Sequence, residues 1–256
     1  MSQAIWTQCE QEFKFSSYGG MPWRVVEAQH VIATRKLVDS DEEQQILEDL
    51  IEAAKPPRPY DEGCTRYHYL IWTPFRYPPL KHGLRFGSMD RKGLWYGSEG
   101  LETAFSEKAY YTFLFRSGST ADFGTFDATI TAFCIHVQTK ACAKLTQPPF
   151  LKFEKELSSP ASYVATQPLG SALRDHGAEI ICFKSARCPS GGTNLAVTGI
   201  SVFQDTAPRE TSTWFCTSSA QTVEFKPSGF QTVSATRTVF NKSDFEIAGK
   251  FPAPAV

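Results

Sequence analysis

The stretch from His82 to Tyr111, HGLRFGSMDRKGLWYGSEGLETAFSEKAYY, constrains the fold more than any other part of the chain. It sets three kinds of local structure in succession. Gly83 and Gly87 bracket Leu84-Arg85-Phe86, a composition that favours a turn. Leu94-Trp95-Tyr96-Gly97 is a short aromatic run closed by glycine and reads as a strand. Thr103-Ala104-Phe105-Ser106-Glu107-Lys108-Ala109 reads as helix. Each carries one chemically capable side chain, with eleven residues from Arg85 to Tyr96 and eleven more to Glu107. A cation, an aromatic ring and a carboxylate on turn, strand and helix can converge on one pocket. That trio suits a ligand with phosphates, a flat heterocycle and a carbon that becomes cationic.

The chain has 256 residues, enough for one large domain or two small ones and for a full core. Its 26 basic and 27 acidic residues give a formal net charge of -1, so no general electrostatic grip on nucleic acid is expected. Aromatic residues reach 13%, with 20 Phe, which fits a β-rich interior of stacked rings. The cysteines (Cys9, Cys64, Cys134, Cys142, Cys182, Cys188 and Cys216) are odd in number and none has C-x-x-C spacing. Neither a disulfide framework nor a zinc site is expected. The first residues show no basic stretch followed by an apolar one, and no run of about 18 apolar residues exists, so no membrane segment is expected. A reducing cytoplasm is the expected location.

Along the chain, residues 1–22 are polar and read as a loose arm. Trp23–Leu37 fits a strand or a helix start. Over Asp39–Ala54, Ser40 and Glu43 have capping-box spacing and Ile46, Leu47, Leu50 and Ile51 recur at helical intervals, before Pro56-Pro57 stops the helix. The Pro-rich stretch Lys55–Gly63 reads as a linker. This divides the chain into an N-terminal arm and helix (1–60), a main domain (61–245) and a tail (246–256), of which the closing FPAPAV is expected to be disordered. Tyr67–Trp72 is aromatic and β-like. Phe126–Val137 alternates as a strand, Ser162–His176 reads as a helix broken or kinked by Pro168, and Ala178–Ser185 and Leu195–Phe203 read as strands around a Gly-rich turn, Arg187–Asn194. Thr213–Cys216 and Gln221–Phe225 follow after Pro208.

Four motifs in order then resemble the RES domain family. They are Gly83-Leu84-Arg85-Phe86, Leu94-Trp95-Tyr96-Gly97, Ala104-Phe105-Ser106-Glu107, and Ile181-Cys182-Phe183-Lys184-Ser185-Ala186-Arg187 followed by Gly191-Gly192-Thr193-Asn194. The resemblance covers about residues 66 to 205, and the run PWRVVEAQH with EEQQILEDLIEAAKP resembles an extension of longer members. Gly87, Trp95 and Ser106 depart from the usual pattern and are expected to alter pocket shape. The resemblance implies an α+β fold, an ADP-ribosyltransferase-like mixed β core with flanking helices and an N-terminal helical extension. It also implies the toxin of a toxin–antitoxin pair, partnered by an Xre-type antitoxin, that destroys NAD by cutting the nicotinamide–ribose bond with water or phosphate as acceptor. A homodimer is compatible with it. NAD is then substrate and no cofactor is implied.

The implied catalytic set is Glu107, Arg85, Tyr96 and Ser185, with Phe86, Arg187 and Asn194 added for substrate binding. Cleavage builds positive charge on the ribose C1, which a carboxylate such as Glu107 stabilises. Arg85 offers a fork for pyrophosphate, Tyr96 a ring for nicotinamide or ribose, and Ser185 a hydroxyl for ribose or phosphate. No metal is required, because the pyridinium charge already activates the leaving group. Taken singly, Arg85 also reads as a surface cation, Tyr96 as core, Glu107 as an exposed helix carboxylate and Ser185 as a turn cap. Arg66, Arg76 and Arg187 are rival phosphate ligands ranked below Arg85. His82 invites a general-base role; His136, in an apolar strand, reads as structural. No P-loop or G-x-G-x-x-G occurs, so a Rossmann site is not expected. Two further activities share this pocket: ADP-ribosyl transfer to a macromolecule, and nucleotide binding without catalysis.

Overall fold

Alternating apolar residues along many short segments can be buried only if those segments pair, and here they pair into one sheet. The computed structural model describes residues 4–28, 33–58, 63–79, 82–121, 124–229 and 236–253. The strands are β1 (Ser16–Gly20), β2 (Trp23–Glu27), β3 (Trp95–Ser98), β4 (Phe126–Cys134), β5 (Val137–Lys144), β6 (Ile180–Lys184), β7 (Thr193–Val197), β8 (Glu210–Ser218), β9 (Thr222–Pro227) and β10 (Thr238–Asn241). The helices are α1 (Ile5–Cys9), α2 (Asp41–Ala54), α3 (Tyr69–Arg76), α4 (Leu101–Ser117), α5 (Glu154–Leu157) and α6 (Thr166–Asp175). Among the described residues the sheet order is β1-β5-β6-β7-β3-β2-β4-β8-β9-β10. Every pairing is antiparallel except β5 with β6. This is the mixed α+β architecture expected.

Period-2 alternation splits each strand between two faces. Trp95 of β3 joins Phe133, Leu195, Val197 and the α3 residues Leu70, Ile71 and Phe75 on one face. Tyr96 turns to the other, where α1, α6 and Phe86 cover one half of the sheet and α4 covers the other half. Phe105 of α4 stacks on Phe225 at 4.6 Å and meets Trp214 edge-on at 4.6 Å, anchoring the helix. The gap between these two helical blocks is where a site can form.

Several local expectations are corrected. Residues 4–22 are not a loose arm: Ile5 and Cys9 are buried, and β1 pairs along β5. Tyr67–Trp72 is not a strand. His68 caps α3 by accepting the Leu70 N–H, and burial of Leu70, Ile71 and Phe75 outweighs the β propensity of the aromatic run. Pro168 neither breaks nor kinks α6, since it lies in the first turn, where its missing N–H has no helical partner to lose. The start of the tail is packed rather than disordered. Phe251 stacks on Tyr110 at 5.2 Å and the Tyr110 hydroxyl donates to the Pro252 carbonyl at 2.6 Å; residues 254–256 lie outside the described residues. So do residues 29–32 of the Trp23–Leu37 segment and 59–62 of the Pro-rich stretch.

The helix expected after Asp39 forms as α2, with Ser40 Oγ accepting the Glu43 N–H at 3.1 Å. Its apolar stripe is not buried: Ile46 and Leu50 are exposed. Arg76 ties it to the body, donating to Glu52 at 2.9 Å and to the Pro56 carbonyl at 2.6 Å.

Gly170 of α6 lies against the backbone of Phe86, and so sets where the Arg85 turn sits. A Cβ there would stand 2.3 Å from the Phe86 carbonyl oxygen. Gly170→Ala is expected to destabilise the protein by about 1–3 kcal/mol, against alanine's better helix propensity, because backbone must move. A lowered urea midpoint with an unchanged m value checks this.

Candidate active site

β2 and β3 meet at one residue pair, Trp23 with Ser98, before diverging. A cleft of about 320 Å³ opens over this junction. β2 and β3 form its floor, and Ala104, Glu107, Lys108 and Tyr111 of α4 form one wall at intervals of three and four residues. The opposite wall is Leu84-Arg85, Tyr163 and Phe183, and Arg187 and Asn194 close one end. Arg85, Tyr96, Glu107, Arg187 and Asn194, all named from sequence, therefore share one cavity.

Glu107 is gripped at one oxygen. Ser185 Oγ donates to its Oε1 at 2.7 Å and Asn194 Nδ2 donates to the same atom at 2.6 Å. Among the described residues no hydrogen bond reaches Oε2. Ser185 stands behind Glu107 instead of on the cleft surface. Its oxygen accepts the backbone N–H groups of Arg187 and Cys188, each at 3.1 Å. Gly192 brings this loop onto α4, where a Cβ would fall 2.0 Å from Thr103 Oγ1. Ser106 helps to fix it, donating to the Arg187 carbonyl at 2.6 Å.

The guanidinium groups of Arg85 and Arg187 are held by neutral partners. Arg85 donates to the carbonyls of Leu157 at 3.0 Å and Ser159 at 2.9 Å and lies 4.9 Å from the Tyr163 ring centroid. Arg187 donates to the Pro160 carbonyl at 2.6 Å and lies 3.4 Å from the Tyr110 ring centroid. Both are almost wholly buried, at 7% and 5% exposure. Among the described residues neither forms an ion pair with a carboxylate. A cation buried without a counter-charge is costly, so this end of the cleft favours an anion.

The Tyr96 hydroxyl accepts the Phe86 N–H at 3.3 Å. Burial pushes its phenol pKa well above the ordinary tyrosine value, against the opposing pull of that N–H. The ring is therefore neutral through the physiological range.

Some expectations about the site are corrected. The Phe86 ring is not on the cleft surface: it is fully buried against Phe183, and only its amide reaches Tyr96. Trp95 does not line the pocket, because alternation turns it to the far face of the sheet, where its ring centroid lies 5.6 Å from the Arg24 guanidinium; Ser106 and Gly87 also stand off the lining. The rivals Arg66 and Arg76 lie elsewhere, on Tyr67 and on Glu52. His82 and His136 are also outside the cleft lining.

Sequence reading missed Ser98, Lys108, Tyr111, Tyr163 and the β2 residues Trp23 and Arg24. Ser98 shares the Tyr96 face by period 2, and Lys108 and Tyr111 share the Glu107 face by helical period, so local signals existed. Tyr163 carries no such signal, because the 157–163 loop reaches the cleft through partners distant in sequence: Arg85, Arg187 and the Tyr111 hydroxyl, 3.3 Å from that of Tyr163. Arg24 donates to the Tyr96 carbonyl at 2.6 Å across the divergence of β2 and β3, and burial lowers its guanidinium pKa to about 10. Among the described residues no group of three His, Cys, Asp or Glu side chains is arranged to hold a metal ion. No helix among them is long and apolar enough to cross a membrane.

A family model described as the RES domain matches residues 58–218, more than half of the chain. Among solved structures, the toxin–antitoxin complex MbcT–MbcA of M. tuberculosis is similar, at 15% identity and a TM-score of 0.46, covering 77% of this chain and 85% of that one. No curated protein sequence matches.

The buried phenol gives an alkaline signature. A group whose pKa is raised on folding contributes stability below its unfolded value, about 10 for tyrosine, and loses it as pH climbs towards the folded value. Tyr96→Phe is expected to flatten the fall of stability above about pH 10 by about 1.4 kcal/mol per pH unit. Urea midpoints from pH 9 upwards measure it; an unchanged slope would mean that Tyr96 ionises freely.

Proposed function

The chain belongs to the RES domain family, and from that premise we propose that it is an enzyme that cleaves the nicotinamide–ribose bond of NAD. The observation that carries this reading is the Glu107 carboxylate, held at one oxygen by Ser185 and Asn194 in one cleft with two guanidinium groups that have no carboxylate partner among the described residues. Each part meets one demand of the reaction.

As nicotinamide departs it takes the bonding pair and becomes neutral, leaving positive charge on C1 and the ring oxygen of the ribose. A carboxylate fixed in a site with little water stabilises that charge without reorganising. Glu107 Oε2 is the oxygen available to face C1 or to hold the ribose hydroxyls. Arg85 and Arg187 supply the positive field for the diphosphate, through N–H groups not committed to Leu157, Ser159 and Pro160. Tyr96, neutral and rigid, offers its face to the nicotinamide ring or bounds the ribose. Ser185 acts through Glu107, which replaces its expected contact with substrate. Water or phosphate then attacks C1, giving ADP-ribose or its 1-phosphate.

The biological role that follows from the family resemblance is a toxin that depletes NAD and is restrained by an Xre-type antitoxin. Tyr111, which lines the cleft and is 49% exposed, offers a contact for a partner that covers the mouth.

Glu107→Gln keeps the shape and both hydrogen bonds to the side-chain oxygen but removes the charge. It is expected to lower nicotinamide release from NAD by about 100-fold or more with the fold intact. Release at the wild-type rate would end the assignment. Labelled NAD run in parallel separates free ADP-ribose or its phosphate from label fixed on a macromolecule, which would make the protein a transferase instead.

A further inference from the structure

Asn194 was expected to contact substrate, yet its amide is committed elsewhere. We propose that Ser98 and Asn194 form a positioning relay that fixes the orientation of the Glu107 carboxylate. This rests on the reading that Glu107 faces the ribose C1.

The two ends of an asparagine amide are nearly alike in shape and opposite in function: one donates and the other accepts. Which end meets Glu107 decides between attraction and repulsion. Ser98 settles it. Its Oγ donates to Asn194 Oδ1 at 2.6 Å, which leaves Nδ2 to donate to Glu107 Oε1 at 2.6 Å. Ser98 and Asn194 are buried, at 3% and 4% exposure, so neither can exchange its partner for bulk water. They are facing residues across β3 and β7, and Ser98 is also the one β3 residue paired with β2, through Trp23. Three strands thus hold the hydroxyl in place.

The second grip is fixed in the same manner. Ser185 Oγ already accepts two backbone N–H groups, so its single hydrogen is directed to Glu107. With both donors on Oε1 the carboxyl group cannot rotate, and Oε2 keeps one direction towards the cleft. Ser98 is accordingly a positioning residue that acts through Asn194.

The test uses the purified full chain and nicotinamide release from NAD. Ser98→Ala frees the amide to turn its oxygen towards Glu107. It is expected to lower kcat about 10-fold or more, the range seen when outer partners of a site are removed, with KM little changed. Asn194→Asp sets a second carboxylate against Oε1. Two carboxylates at that distance resist ionising together, so the acid limb of the kcat–pH profile is expected to move to higher pH. A role in packing alone would not move that limb. Wild-type protein that leaves NAD intact overturns the parent reading and this inference with it. An active wild type, with Ser98→Ala matching its kcat and Asn194→Asp matching its acid limb, overturns this inference alone.

Discussion

The site depends on one carboxylate oxygen held by two donors that are themselves fixed. Glu107 sits in the second turn of α4, a helix whose other side is locked by Phe105, Ala109 and Phe113 in the aromatic core. The backbone of the residue is therefore set by packing. Its side chain is set by polar contacts from elements far away in sequence: Ser185 after β6 and Asn194 in β7. A flexible carboxylate would spend much of its time in unproductive rotamers. On the proposed reading, fixing it beforehand moves that entropic cost from the reaction to folding.

The arginines present the opposite case. Arg85 and Arg187 are held by carbonyl groups and aromatic faces, partners that orient a guanidinium without cancelling its charge. The same bonds tether the 157–163 loop, which brings Tyr163 to the cleft. One pair of side chains so builds a wall and charges it. Their neutral partners leave both guanidinium charges in place at the cleft.

The segment before the matched region is part of this design. β2 lies outside residues 58–218, yet it supplies Trp23, Arg24 and Val25 to the floor and pairs with Ser98. Further on, β2 pairs with β4 over its whole length and leaves β3. The opening between β2 and β3 is spanned by the Arg24 guanidinium, which bonds to the Tyr96 carbonyl in place of a strand neighbour. The cleft exists because the sheet is incomplete at this point.

The sequence by itself determined the local parts. Glycines around Arg85, an aromatic strand at Tyr96 and a helix around Glu107 follow from short-range sterics and periodicity, which act over a few residues. The α+β character and most strands were legible for the same reason; the candidates Arg85, Tyr96, Glu107, Ser185, Arg187 and Asn194, named through the resemblance, gather in and behind one cleft. Tertiary structure decided what short-range rules cannot: that Tyr69–Trp72 becomes helix once its apolar face is buried, that Phe86 turns inward, and that Ser185 and Asn194 hydrogen-bond Glu107. It also decided that Ser98, Tyr163 and β2 belong to the site. The physical reason is that a hydrogen bond's partner is chosen by proximity in space, and sheet order pairs residues as far apart in the chain as Ser16 and Cys142.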